Sequence, residues 1–353
     1  MNLFAAVLTQ VAPSANYRGD KELNRLVLQR ITRDRFEYPV ISAESMRNAL
    51  REMLRAYRMP SNRNRPPDPQ EPTVHYQEFP HPQKYADDFI FGYLVAAGPA
   101  DREAHRKREQ PRELRFKRDS ILRLNLAVAL EPYRHDKLLT QSPLIDKSSP
   151  WQNDTNSALL NPELAYTAYQ YPFGLNGNDF HLGDDKCPEE LRDRYADWLV
   201  NLLRAIAELS GVAGNQARSF FVMEPKSVII RLTDRLAPGF DLYPFQSGGS
   251  AVDVMEAIRL GDIPGSEFII GGRIVTHGLT AEQSKTWIEQ LDGKEESGNS
   301  AKRGPQPSQP KLFRTAEQAL DAAARELTGR GFLKEDRRGV PLGDTPDGAS
   351  EIP

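Results

Sequence analysis

The chain has one cysteine, Cys187, and six histidines among 353 residues. A single thiol rules out an internal disulfide and suits a reducing, cytoplasmic setting, so the fold has to be held by its own core. Neither His-x-x-x-His nor Cys-x-x-Cys occurs, and no compact group of acids has metal-ligand spacing. No metal and no other cofactor is therefore expected. Gly-x-Ser-x-Gly and the Walker loop are missing too, which removes the nucleophile-elbow hydrolases and the P-loop nucleotidases. No apolar run approaches the roughly 18 residues that a membrane span requires. The opening MNLFAAVLTQV has no basic residue ahead of its apolar stretch, so it reads as a first strand and not as a signal peptide.

What is present is a soluble composition, 39% hydrophobic and 27% charged, with charge unevenly placed. Between Met1 and Arg65 there are twelve Lys/Arg against six Asp/Glu, a net of +6, while the whole chain is at -3. Such asymmetry favours a polyanionic partner, because each neutralised phosphate releases counterions. The stretch YPVISAESMRNALREMLRAY, Tyr38 to Tyr57, concentrates it. Ser42 is a good N-cap, so a helix is predicted from Ala43. Met46, Leu50, Met53, Leu54 and Tyr57 form its apolar side, and Arg47, Arg51 and Arg55 follow an i, i+4 row beside them. With Glu44 and Glu52 nearby, an isolated helix would simply show this row to solvent. The basic surroundings favour a phosphate-binding face instead.

Along the chain, Leu3–Val11 is predicted as a strand, Ile121–Leu130 and Leu164–Tyr171 as two more, Pro188–Leu209 as an amphipathic helix ending at Gly211, and Ser227–Leu232 as a further strand. The order β, α, β, β, α, β is that of an α+β ferredoxin-like fold, the arrangement of the RNA-recognition module. Residues 59–120, proline-rich and then charge-dense, read as an insertion outside the core, and Pro132–Pro162 as a long loop. Short helices are expected near Val252–Leu260 and Thr315–Leu327, with a strand at Phe268–Ile270, a linker at Gly293–Pro310 and a disordered tail after Arg337. Two loops offer chemistry. Asp20 can polarise a ribose 2′-hydroxyl, although an Asp beside a glycine such as Gly19 is more often a turn residue. GVAGNQARS, Gly211–Ser219, lets backbone approach a phosphate and supplies Asn215, Gln216 and Arg218 as donors, or is a plain C-cap and loop.

AVLTQVAPSANYRGDKELNRLVLQRI and YPVISAESMRNALREML resemble the N-terminal signature of the backbone subunit of type I CRISPR Cascade complexes, the Cas-seven superfamily in its DevR-like branch, subtype I-B. ELAYTAYQYPFGLN and GVAGNQARS extend the resemblance, and nothing after about Asp234 adds to it. The resemblance implies an RNA-recognition-like palm in segments 1–58, 121–131 and 164–292, a finger or web at 59–120, a thumb at 132–163, and a linker, helix and tail at 293–353. It implies that Asn16, Tyr17, Arg18, Ser42, Ser45, Arg47, Arg51, Gly214, Asn215, Gln216 and Arg218 hold guide phosphates, helped by the open N–H groups of the helix start. Asn215 stands where many members carry lysine. Leu138, Leu139, Leu144, Ile145 and Trp151 would form a wedge between nucleotides or a grip on the next subunit. The basic side chains between Arg102 and Arg118 would face the DNA target and neighbours.

The function so implied is non-catalytic. Copies polymerise along a CRISPR RNA, which reads target DNA by pairing in antiviral defence. Partners would be that RNA, the target strand, other copies of the chain and other Cascade subunits, with no membrane. Two other classes stay open: a metal-dependent ribonuclease like type III relatives, using Asp20, and a stand-alone RNA-binding regulator.

Overall fold

Strand β1 (Asn2–Thr9) is buried on both faces, with Leu3, Ala5 and Val7 in one hydrophobic cluster and Ala6 and Leu8 in another. A strand sandwiched in this way has no polar side, which is why its sequence runs apolar without alternation. The computed structural model describes residues 1–22, 25–64, 74–109, 114–141, 159–177, 189–212, 221–277 and 309–329. After β1 come β2 (Ala12–Ser14), β3 (Tyr17–Glu22), β4 (Arg25–Leu28), β5 (Arg30–Arg33), β6 (Phe36–Ile41) and helix α1 (Ala43–Ala56). The next stretch holds β7 (Arg63–Asn64), β8 (His75–Tyr76), α2 (Ala86–Phe91), β9 (Tyr93–Leu94), α3 (Pro99–Glu109) and β10 (Lys117–Arg118). Then follow β11 (Leu122–Leu124), β12 (Ala127–Ala129), β13 (Asp136–Lys137), β14 (Thr140–Gln141), β15 (Leu159–Thr167), β16 (Tyr169–Leu175) and α4 (Glu189–Ala207). The remainder is β17 (Pro225–Thr233), α5 (Val252–Leu260), β18 (Phe268–Gly272), α6 (Arg273–His277), β19 (Lys311–Phe313) and α7 (Ala316–Gly329).

These elements make a mixed α/β architecture around a nine-stranded sheet ordered β19-β18-β17-β1-β16-β12-β6-β5, with β11 also paired to β16. In its centre β17, β1, β16 and β12 are successively antiparallel, whereas β18 and β19 are parallel. One face is covered by α1, α4 and α7, and the other by α5 and α6. The alanines Ala316, Ala319 and Ala323 of α7 allow close approach to β18. A Cβ at Gly271 would sit 2.6 Å from that of Ala319, so a larger residue there would force the helix off the sheet. A six-stranded second sheet, β13-β15-β4-β3 with β2 and β14 on β15, stands beside the first. Buried Glu163 of β15 ties it together by accepting the Leu28 N–H of β4 at 3.0 Å and pairing with Arg30 at 3.5 Å.

Four expectations need correction. The stretch Leu164–Tyr171 is not one strand: the chain changes sheets at buried Ala168, where Thr9 Oγ1 accepts the Tyr169 N–H at 3.0 Å and the Leu130 N–H donates to the Ala168 carbonyl at 2.9 Å. Ile121–Leu130 also divides, with Asn125 Oδ1 accepting the Leu126 N–H at 2.7 Å between β11 and β12. Residues 59–120 are not all outside the core. Phe89, Ile90 and Phe91 of α2 are buried in the main cluster, and Phe89 stacks on Tyr195 of α4 with ring centres 4.0 Å apart. Pro132–Pro162, expected as loop, contains β13, β14 and the start of β15. The tail after Arg337 and most of the linker lie outside the described residues.

Candidate nucleic-acid interface

Helix α1 begins as its sequence dictates: Ser42 is extended, at φ -68° and ψ 148°, and its Oγ accepts the Ser45 N–H at 3.2 Å. Strand β6 leads directly into this cap, and the Val40 carbonyl of β6 accepts Asn16 Nδ2 at 3.0 Å. Asn16 is itself held by the Gln29 N–H, which donates to its carbonyl at 2.8 Å. The loop after β2 is thereby fixed beside the helix start. On the other side, Ser45 Oγ donates to the carbonyl of Val212, just beyond α4. Three parts separate in sequence, the Asn16–Tyr17 loop, the α1 N-terminus and the exit of α4, meet in one place. Burial, reinforced by Glu163, pushes the half-buried Tyr17 phenol above its ordinary range, so it stays a neutral donor at neutral pH.

Other candidates are arranged differently. Arg47 turns to protein acceptors, donating to Ser120 Oγ and the Leu122 carbonyl at 3.0 Å each and to the Phe91 carbonyl at 2.6 Å. It ties α1 to α2 and β11. The Phe91 ring lies under both Arg47 and Arg51, 5.4 Å and 4.4 Å from their guanidinium carbons. Arg55 donates to the Arg63 carbonyl and to Glu52. Burial first, then Arg63 and Arg47, lowers the Arg51 pKa to about 9, and burial, then Arg63 and Arg123, lowers that of Arg47. Arg18 and Asp20 lie on β3, but their side chains are outside the described residues, as are Gly214, Asn215, Gln216 and Arg218. Leu138 and Leu139, beside β13 and β14, are 52% and 70% exposed. Leu144, Ile145 and Trp151 lie outside the described residues. On α3, Arg102, Arg106, Lys107 and Arg108 are exposed.

Sequence reasoning missed two features. A cavity of about 370 Å³ opens between α1 and the β7–β8 hairpin, lined by Asn48, Arg51, Arg55, Arg63 and Tyr76. Arg63 sits at the edge of a proline-rich run that has no periodicity to mark it. A larger cleft of about 580 Å³ lies between the two sheets, with Leu8, Val11, Leu130 and Leu164 on its walls and Arg134, Lys226 and Arg273 beside acidic Glu131 and Asp136. Among the described residues no cluster of His, Cys, Asp or Glu suits a metal ion, and no helix is long and apolar enough to cross a membrane.

No family-wide sequence model matches the chain. Two chains of solved structures overlie it weakly: one from "CRISPR RNA-guided surveillance complex, pre-nicking", with 13% identity and a TM-score of 0.46 over 92% of this chain and 99% of that one, and one from "CRISPR RNA-guided surveillance complex", with 14% identity and a TM-score of 0.45 over 92% and 98%. Overlays at those scores assign nothing by themselves. In sequence, the chain is similar to the CRISPR-associated protein Cas7/Cst2/DevR of Myxococcus xanthus (strain DK1622), with 29% identity over 298 residues, 80% of this chain and 90% of that protein.

Proposed function

We propose that the chain is a backbone subunit of a Cascade-type CRISPR effector, of the DevR-like branch and subtype I-B, that binds CRISPR RNA and polymerises along it. The observation that carries this reading is the similarity to a CRISPR-associated protein across 80% of this chain and 90% of that protein. The antiparallel order β17-β1-β16-β12, with α1 and α4 on one face, supports an RNA-recognition-like palm. The meeting of the Asn16–Tyr17 loop, the capped α1 N-terminus and Val212 supports a phosphate track there, because N–H groups and hydroxyls converge around the helix start, with Glu44 as the acid of its first turn. Arg47 and Arg51 serve that track from behind, Arg47 by fixing the helix.

In this reading the protein is not an enzyme. It orders the guide so that pairing selects the target strand, and its further partners are other copies of itself and other subunits. The 59–120 and 132–163 segments are its finger and thumb. Contacts are to phosphate and ribose, so affinity falls with salt and is indifferent to spacer sequence. Purification from a host that expresses the CRISPR array tests it. Discrete guide RNA in a large particle is the expected result, and an RNA-free monomer overturns it.

A further inference from the structure

The β5–β6 hairpin closes through a strained turn. Arg33 pairs with Phe36, so Asp34 and Arg35 alone make the turn, and both are left-handed, at φ 51° and 70°. A two-residue turn of this kind is least strained as Asn-Gly. Keeping Asp-Arg there costs backbone energy and holds two charged side chains at the tip. Phe36 beside them is 58% exposed. Val40 is level with Leu8 of β1 through Val128 and Gln170, so Phe36 projects roughly 13 Å past Leu8, at about 3.3 Å per residue.

At the other end of the same sheet a hollow of about 410 Å³ opens, walled by Phe4, Leu124, Pro172, Leu236 and Leu242. Phe4 lies roughly 13 Å from Leu8 in the opposite direction. It points away from Leu3 and Ala5, which join the cluster beneath α1, and strand alternation turns Phe36 away from Ile41 of that cluster in the same sense. Gly174 keeps the floor open, since a Cβ there would stand 3.7 Å from the Phe4 ring. The wall that carries Leu236 is braced. Arg231, 1% exposed, donates to the Pro238 carbonyl at 2.6 Å and to Glu267 at 2.7 Å, and only a glycine fits at 239 beside its guanidinium. The Tyr243 hydroxyl donates to the Leu126 carbonyl, and Asn2 Nδ2 to that of Arg235, at 2.8 Å each. On this fixed loop Leu236 is nevertheless 80% exposed. Arg123 borders the hollow, and exposed Asp241 adjoins Leu242.

We propose that the β5–β6 tip of one copy of the chain seats in this hollow of the next, Phe36 entering between Phe4 and Leu236, with Asp34 toward Arg123 and Arg35 toward Asp241. Each charge at the tip then meets an opposite one at the rim. An aromatic anchor flanked by an arginine, entering a braced apolar hollow, is the kind of contact that concentrates binding energy, because little is left to order on association. Tip and hollow lie at opposite ends of one sheet, so a docked copy still offers one of each. The contact is heterologous and extends a row, where a two-fold contact would stop at a dimer. The inference rests on the reading that copies of the chain assemble, and it assigns a joining surface apart from the thumb.

The test is sedimentation velocity of the full-length protein, RNA-free at high concentration and as purified with guide, with RNA quantified in every fraction. Phe36→Asp and Leu236→Glu alter exposed side chains, so both variants should fold and bind guide as wild type does. Copy-to-copy affinity should fall about ten- to a hundredfold in each, and particles should shrink. Mixed one to one, the two variants should form a dimer and nothing larger, since the sound tip of Leu236→Glu meets only the sound hollow of Phe36→Asp. Benzoylphenylalanine at position 36 should cross-link under light to residues 123–125, 172–174 or 234–242 of a second copy. Full-size particles from either variant overturn the proposal and leave the guide reading intact. So do a mixture that stays monomeric where wild type assembles, and cross-links confined to RNA or to other segments. Particles that form without RNA and dissolve on Phe36→Asp support the contact while counting against the guide reading. Wild type that stays monomeric with and without RNA overturns both.

Discussion

Truncating Arg47 would take the charged donor from the Phe91 carbonyl, the Leu122 carbonyl and the Ser120 hydroxyl at once, although Ser120 Oγ still donates to the Leu122 and Ile90 carbonyls. Arg47→Ala should therefore lower the unfolding free energy by about 2–4 kcal/mol, since each acceptor left without its charged donor costs on the order of 1–3 kcal/mol. Any loss of RNA binding in that variant should come with a lower denaturant midpoint, and equal midpoints would show that Arg47 does not hold α1. Asp88 makes a pH-dependent case. Its carboxyl is fully buried, accepts Asn62 Nδ2 and the His81 N–H, and has one oxygen with no partner among the described residues. Burial, and then Asp87, raises its pKa to about 6 from 3.8. A carboxyl raised on folding binds its proton more tightly in the native state, so its contribution is present below the unfolded value and is lost as pH rises through about 6. Asp88→Asn should gain on wild type between pH 4 and 7 by about 2 kcal/mol, at roughly 1.4 kcal/mol per unit. Parallel stability curves would refute this.

At the scale of elements, β13 and β14 are two-residue additions to the edge of β15, with exposed Leu138 and Leu139 beside them. Replacing 137–152 by a short Gly-Ser linker should leave a folded monomer that binds RNA but fails to give full-size particles, because lost apolar contact multiplies at every repeat. Truncation after Arg337 should assemble normally. Size-exclusion chromatography with RNA quantification decides both, and full-size particles from the linker variant would make the segment a mere surface excursion. Elements with a long apolar period were legible beforehand: the Ser42 cap and α1, α4, β17, α5 and α7 lie within a residue or two of expectation. Short pieces were not. In α2, Asp87 and Asp88 sit inside a six-residue helix and mask its burial, and the break at Ala168 has no glycine or proline to announce it. In the site, the Asn16 loop and Ser42 were named through family resemblance, whereas the fate of Arg47 was hidden because its acceptors are backbone atoms 44 and 75 residues away.

For the molecule as a whole, a guide-binding role leaves Asp20 without chemical work. Purified complex should leave target RNA intact in divalent metal, and Asp20→Ala should assemble and bind guide as wild type does. Metal-dependent cleavage abolished by Asp20→Ala with assembly preserved would establish the ribonuclease alternative instead. Guide affinity should fall by about 0.7 of a logarithm per phosphate contact for each tenfold rise in salt. The single residue Ala168 also has a mechanical meaning. Since β15 ends at Thr167 and β16 starts at Tyr169, the two sheets share one taut cable with no slack loop to absorb a pull. Traction from a neighbouring subunit on the small sheet would be felt at once by the strand beside β1. Under force the sheets should therefore give way together, and an optical-trap record should show one rip spanning both rather than two separate steps.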